Sequence, residues 1–242
     1  VTDHDLAAQL AGQAGALLLS LRDAGNLAGA ALGAEGDGRA NALLLAALAV
    51  ARPDDAILSE ECACDGKRHH ADRVWIIDPL DGTREYAEGR DDWAVHVALV
   101  TGGMAAVGAV ALPALGQLFS SAAPQPVPAA LGSTPRLLVS RSRPVPEAAR
   151  VADTLGADLV PMGSAGAKAM AVVRGDGDIY LHSGGQYQWD NAAPVAVALA
   201  HGLHCSRLDG SPLVYNCADP LLPDLLICRP EWAGPVLAVV NG

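Results

Sequence analysis

No stretch of this chain approaches a membrane span. The longest apolar run, residues 95–112, is interrupted by Thr101, Gly102, Gly103 and Gly108 and reads as two strands joined by a turn. A basic region ahead of an apolar one is also missing near the N-terminus, where Asp3, His4 and Asp5 stand. No secretory signal is read there, and a cytoplasmic location is expected. Positive charge is scarce: 16 Lys and Arg against 27 Asp and Glu leave a net charge of −11. That balance argues against a nucleic-acid polymer or an anionic membrane as partner. The five cysteines are few and odd in number, which is not a disulfide framework, and Cys205, Cys217 and Cys228 read as reduced core residues. Neither an internal repeat nor a low-complexity tail is found.

What is present centres on residues 75–83, W-I-I-D-P-L-D-G-T. Trp75, Ile76 and Ile77 form an apolar run of strand type that Asp78, Pro79 and Asp81 are expected to stop. Pro79, with its fixed φ and missing N–H, would let both carboxylates and the Leu80 carbonyl converge on one point. Carboxylates that close repel, so either a pKa rises or a divalent cation neutralises them. Gly82 and Thr83 would offer backbone N–H groups to a phosphate at a helix start. An ordinary solvated turn, for which Asp, Pro and Gly are equally suited, is the competing reading.

At 242 residues the chain can form one large domain or two modest ones. Helical spacing covers residues 3–24, with Leu6, Leu10, Ala14, Leu17, Leu18 and Leu21 on one face. Residues 34–38 read as a glycine-bearing loop before a second helix over 39–51, which would place Asp37 at its mouth, as an N-cap or as a site residue. Ile57 and Leu58 form a short strand that ends in Glu60 and Glu61, either a solvated edge or ligands. Strands over 93–100, 104–112 and 116–121 predict an antiparallel meander. A Pro-rich connection, 124–135, separates an N-terminal α+β lobe (1–123) from a C-terminal lobe (136–242). In the latter, strands over 136–140, 158–161 and 179–182 alternate with helices over 145–155 and 165–174, an α/β pattern. A helix over 189–201 carries Asp190 in its first turn, where the dipole favours a carboxylate whether or not it is a ligand. Strands over 203–207 and 225–228 and a helix over 231–240 complete the chain. Cys62, Cys64, His69 and His70 suggest zinc, but their spacing lacks the usual pairs, and an exposed loop is the expectation.

Three motifs carry a resemblance. Glu60-Glu61, D-P-L-D-G-T at 78–83 and W-D-N-A-A at 189–193 are similar to the signature of the inositol-monophosphatase superfamily of magnesium-dependent, lithium-sensitive phosphatases. S-R-S at 140–142, G-S-A-G-A-K at 163–168 and D-G-S-P-L-V-Y-N at 209–216 resemble its CysQ branch of 3′-phosphoadenosine 5′-phosphate phosphatases. The resemblance implies a layered αβαβα fold and a site between the lobes. It implies that Glu60, Asp78 and the Leu80 carbonyl hold one Mg2+, and Asp78, Asp81 and Asp190 a second. The activated water would lie between Glu60 and a Thr83–Asp37 pair, with phosphate on the Gly82 and Thr83 N–H groups and Ser164 on the ribose side. Lys168 and Arg141, beside Ser140, would meet a second phosphate, or are plain surface cations. Two or three Mg2+ per site, Li+ as inhibitor and a homodimer are further implications.

All-oxygen ligands select Mg2+ over zinc, and two cations serve a slow phosphate-ester hydrolysis at both the entering and the leaving oxygen. Two departures stand out: Ala34, where relatives often carry threonine, and Gln188, where many carry an acidic residue, at a position expected to border the substrate pocket. Hydrolysis of inositol 1-phosphate or fructose 1,6-bisphosphate is the alternative activity, and a non-catalytic metal or nucleotide sensor the alternative class.

Overall fold

The computed structural model describes residues 1–62 and 67–242, Lys67 by its backbone alone. Helix α1 (Asp3–Asp23) starts at Thr2, whose hydroxyl accepts the Asp5 N–H at 3.1 Å while the Asp5 carboxylate accepts the Thr2 N–H at 3.3 Å. Helix α2 (Gly29–Ala51) is longer than expected, because residues 34–38 lie inside it. Two of its glycines are there for contact: a Cβ on Gly33 would meet Thr83 Cγ2 at 2.8 Å, and one on Gly36 would meet Leu18 Cδ2 and Tyr86 Cε1 at 3.1 Å. Close packing there overrides the low helix propensity of glycine. Asp37 is consequently a buried mid-helix residue and not an N-cap.

The first sheet runs β1 (Ala56–Ser59), β2 (Arg73–Asp81), β3 (Ala94–Thr101), β4 (Met104–Leu112), β5 (Gln117–Ser120) in that spatial order. β1 and β2 are parallel, and the rest is the antiparallel meander that the alternation foretold. Short helix α3 (Thr83–Ala87) follows β2. The strand does not stop at Asp78. Asp78 pairs with His96 and Asp81 with Ala94, so three steps on β2 match two on β3, and β2 carries one extra residue beside Pro79. Such a bulge reverses the alternation of faces. Asp78 and Asp81, which would otherwise point to opposite faces, therefore share one.

The second sheet contains β6 (Arg136–Ser140), β7 (Asp158–Met162), β8 (Ile179–Tyr187), β9 (His204–Ser206) and β10 (Leu221–Cys228), in the order β7-β6-β8-β10-β9. β6 is parallel to β7 and β8, and β10 is antiparallel to β8 and β9. β8 and β10 are longer than the apolar cores from which they were read, since their outer ends, Ser183 to Tyr187 and Leu221 to Asp224, pair with one another. Helices α4 (Pro146–Leu155), α5 (Ala165–Arg174), α6 (Gln188–Ala200) and α7 (Pro230–Asn241) complete the fold.

Alternating strand residues divide the core into layers. Trp75, Ile77, Val95 and Val97 pack with Leu10, Leu18, Leu44 and Leu48 of α1 and α2. Val74, Ile76, Ala98, Leu138, Tyr180 and Leu225 pack from both sheets onto Met170, Val172, Ala192 and Val197 of α5 and α6. Leu137, Val139, Ile179 and Leu226 face Val151 and Val236 of α4 and α7. The result is the expected αβαβα sandwich, whose middle helical layer both sheets share. Residues 124–135 link β5 to β6. Cys228 is buried and Cys205 half-buried, as free thiols; Cys217 is exposed, because its neighbours turn on the surface after β9.

Candidate active site

One oxygen from each of Asp78, Asp81 and Asp190 lies within 4.8 Å of the others, the one such metal-competent group among the described residues. β2 and its bulge supply the first two. Asp190, in the first turn of α6, accepts the Tyr187 N–H on Oδ2 at 2.5 Å. Glu60 follows β1, where its N–H reaches the Ile77 carbonyl at 3.4 Å, and its side chain shares a hydrogen bond with Asp78. The Thr83 hydroxyl donates to the Leu80 carbonyl at 3.1 Å and lies within reach of Asp37, whose Oδ1 has no partner. Asp37, Glu60, Asp78, Leu80, Asp81, Thr83 and Asp190 thus meet at one place, although they come from α2, the turn after β1, β2, α3 and α6.

The electrostatics are those of closely packed, buried carboxylates. Burial, then the charges of Glu60, Asp81 and Asp190, push Asp78 far above the carboxylate range. Burial and Asp81 raise Asp190 to about 7, and burial with Glu61 and Glu60 raises Asp37 to about 7. Glu60 is exposed on its outer side, yet lost solvation and the nearby Asp81 and Glu61 raise its carboxyl as well. Asp81 behaves oppositely. Burial alone would raise it, but the His96 ring, the Ser164 hydroxyl and the Gly166 N–H outweigh that and hold it down at about 2.

Asp81 is gripped by the start of α5. Its Oδ1 accepts from the Ala165 N–H at 3.2 Å, and its Oδ2 from the Gly166 N–H at 2.7 Å and from the Ser164 hydroxyl through a short bond. The His96 Nε2 stands 3.3 Å from Oδ2, while Nδ1 meets the Trp189 carbonyl at 3.0 Å. A Cβ at Gly166 would come within 2.0 Å of that Nε2, so only glycine admits the ring. Sequence reasoning missed His96. Its signal was a lone histidine in an otherwise apolar strand, opposite Asp78 in the ladder.

A polar cleft opens beside the cluster, lined by Gly82, Ser140, Arg143, Ser164, Lys168 and His182 among others. Gly82 has φ +89°, and a Cβ there would crowd Ser164 and Trp93 at 3.2 and 3.3 Å. The expected cations are differently employed. Lys168 is buried, and its Nζ donates to the Gly163 and Ser164 carbonyls at 3.0 and 2.5 Å; burial lowers its pKa to about 8. It is not a surface cation. Arg141 is tied to Glu85 at 2.8 Å and Glu88 at 2.9 Å. Arg143, which sequence reasoning passed over, has no carboxylate partner among the described residues and lines both this cleft and its outer continuation past Thr83 and Arg84. His182 and Gln186, likewise missed, face the cleft with Nε2 and Oε1 unpartnered. Gln188 does not border it: its side chain turns to residues 216 and 219, because the backbone there needs its amide. Of the zinc grouping, Cys64 lies outside the described residues, and Cys62, His69 and His70 are exposed.

A family model described as Inositol monophosphatase family matches residues 5–233. The chain belongs to the inositol monophosphatase family. A Mycobacterium leprae protein named 3′-phosphoadenosine 5′-phosphate phosphatase is 51 % identical over 255 residues, spanning 100 % of this chain and 94 % of that protein. The 3′(2′),5′-bisphosphate nucleotidase CysQ of Escherichia coli K12 is 29 % identical over 76 % of this chain and 79 % of its own length. The crystal structure of CysQ from Bacteroides thetaiotaomicron superposes with a TM-score of 0.80 at 24 % identity, covering 93 % of this chain and 96 % of that one, which shows the shared fold. As a member of the inositol monophosphatase family the chain is a phosphatase of a metal-dependent kind, acting on a small phosphorylated substrate. No helix among the described residues is long and apolar enough to cross a membrane.

Proposed function

We propose that this chain hydrolyses 3′-phosphoadenosine 5′-phosphate to AMP and inorganic phosphate with Mg2+, and so clears a by-product of sulfur assimilation. The observation that carries the reading is the pairing of an all-oxygen acidic cluster with a cleft lined by Arg143, which has no carboxylate partner among the described residues. A phosphomonoester belongs at the cluster and a second phosphate at the guanidinium, which binds such groups in bidentate fashion. The relatives' names point the same way.

Glu60, Asp78 and the Leu80 carbonyl would hold one cation, and Asp78, Asp81 and Asp190 another. The fit rests on hard oxygen donors and on carboxyls that gain most when a positive charge joins them. Bound there, Mg2+ supplies an activated water and neutralises charge on the phosphoryl and leaving oxygens. Glu60 is placed to accept a proton from the attacking water. Thr83 and Asp37 orient that water, with Asp37 able to hold a proton at neutral pH. Gly82 and Thr83 N–H groups receive the phosphate, Ser140 and Ser164 flank the sugar, and Lys168 adds its charge from the cleft wall while it holds the Gly163–Ser164 turn. Inhibition by Li+, a homodimer and a cytoplasmic location belong to the same reading.

The test compares kcat/KM for 3′-phosphoadenosine 5′-phosphate, inositol 1-phosphate and fructose 1,6-bisphosphate with Mg2+ in one assay. A preference of about a hundredfold or more for the nucleotide is expected, and Arg143→Gln should reduce it by about tenfold or more, the worth of a charge-assisted contact. Equal rates on all three would overturn the substrate assignment, and no Mg2+-dependent phosphate release would leave a sensor.

A further inference from the structure

The D-G-S-P-L-V-Y-N motif ends at Asn216, a residue that the chemistry above does not use. Asn216 sits at φ +59°, a left-handed conformation that Asn tolerates better than most side chains. There it faces Arg68, which is 1 % exposed and lies in a single 3-10 turn (Lys67–His70) between Glu60 and β2. The Arg68 guanidinium donates to Asn216 Oδ1 at 2.9 Å, to the Cys217 carbonyl at 2.8 Å and to the Ala218 carbonyl at 3.2 Å. Asn216 Nδ2 returns a bond to the Arg68 carbonyl at 2.9 Å. On its other side the Asn216 N–H donates to Gln188 Oε1 at 2.6 Å, and Gln188 Nε2 donates to the Asp219 carbonyl at 3.2 Å. The Gln188 N–H meets the Pro220 carbonyl at 2.8 Å. Gln188, also 1 % exposed, is the first residue of α6, two before Asp190.

We propose that Arg68, Asn216 and Gln188 form a positioning clamp that fixes the 3-10 turn ahead of β2 against the start of α6 and thereby sets the distance between the Glu60 and Asp190 ligands. Glu60 follows a strand of the first sheet, whereas Asp190 opens a helix that follows a strand of the second. Without a cation their like charges push them apart. The clamp resists that splay through side-chain bonds at its two ends, so the carboxylates are held at the spacing a cation requires. None of the three residues touches substrate or metal; each acts through the element it anchors. The inference rests on the acidic cluster being a metal site, as argued above.

Asn216→Gly tests it, because glycine keeps the left-handed backbone while deleting both side-chain bonds to Arg68. Arg68→Lys keeps the charge but loses the fork that reaches three acceptors. Mg2+ binding to the full-length protein is measured by titration calorimetry, alongside kcat at saturating Mg2+. Each variant should weaken Mg2+ by about tenfold, the scale for partners that orient metal ligands, with kcat largely restored at high Mg2+. Asn241→Ala is the comparison: it likewise removes two side-chain bonds, to the Leu208 and Leu237 carbonyls, far from the site. It should lower the melting temperature and leave Mg2+ affinity unchanged. Wild-type affinity in both clamp variants, or an equal loss in Asn241→Ala, overturns the clamp alone. A wild-type protein that binds no Mg2+ overturns the metal reading itself and the clamp with it.

Discussion

Asp78, Asp81 and Asp190 are chemically alike and yet titrate in opposite directions, because donors surround one and carboxylates the other two. Asp81 keeps its charge through the His96, Ser164 and Gly166 contacts. Asp190 and Asp37 are raised to about 7. A carboxyl raised on folding binds its proton more tightly in the native state, so its contribution to stability is complete below the unfolded pKa and is lost as pH rises through the folded one. His182, lowered to about 4 chiefly by burial, acts in the opposite sense, but only until its unfolded form has lost its proton near about pH 6.5. The cation-free protein should therefore melt at progressively lower temperature from about pH 6.5 to 7.5, short of the range in which Lys168, lowered to about 8, acts the other way. Asp190→Asn should flatten part of that slope, and Mg2+ should reverse it, since the cation binds the ionised form. Thermal melts with chelator and with Mg2+ across this range decide the matter; a cation-free midpoint that rises with pH would contradict the raised carboxyls. At this scale the acidic cluster of Asp78, Asp81 and Asp190 was legible, because a carboxylate's chemistry travels with its letter. The partners of Lys168 and Arg141 were not, since whether a cation is free depends on what folds against it.

Among the elements, the β2 bulge does the most for the site. Alternation puts residues three apart on opposite faces of a strand, and the one extra residue beside Pro79 restores Asp81 to the face of Asp78. Deleting Pro79 removes the extra residue and leaves Asp78 and Asp81 two apart, the spacing that plain alternation already puts on one face. Far-ultraviolet circular dichroism should remain that of the mixed sheet and helix fold, and the thermal stabilisation by Mg2+ should persist. Loss of that stabilisation in a deletion variant that keeps the fold would show that backbone alternation is not what brings the pair together. The sequence-based expectation that Pro79 ends the strand mistook a local irregularity for a terminus. A missing N–H says that one ladder bond is absent, and only the partner strand shows whether pairing resumes. The same limit applies to α2: glycines at 36 and 38 read as a loop by propensity, whereas the close approach of Leu18 and Tyr86 needs a glycine at 36 within a helix. Strands with clean alternation, β3 and β4 above all, were legible nearly to the residue.

For the molecule as a whole, the layered order followed from resemblance and from the change of pattern after residue 135, while the sharing of one helical layer by two sheets did not. No local pattern tells which sheet a helix will cover. α5 and α6 come from the C-terminal half but cover Val74, Ile76 and Ala98 of the first sheet as fully as they cover the second. Residues 129–134, by contrast, are exposed throughout, and the connection is held at either side of them, by Arg229 on the Pro128 carbonyl at 2.6 Å and by the Asp158 N–H on the Pro135 carbonyl at 2.9 Å. A backbone cut in this exposed stretch would separate two pieces, each with an open apolar face that only the other can close. Expressed apart, residues 1–131 and 132–242 should each be aggregation-prone; expressed together, they should co-purify and recover phosphatase activity. Either piece folding stably by itself would refute this. The shared middle layer thus makes the enzyme a natural candidate for fragment complementation, in which catalysis reports that two halves have met.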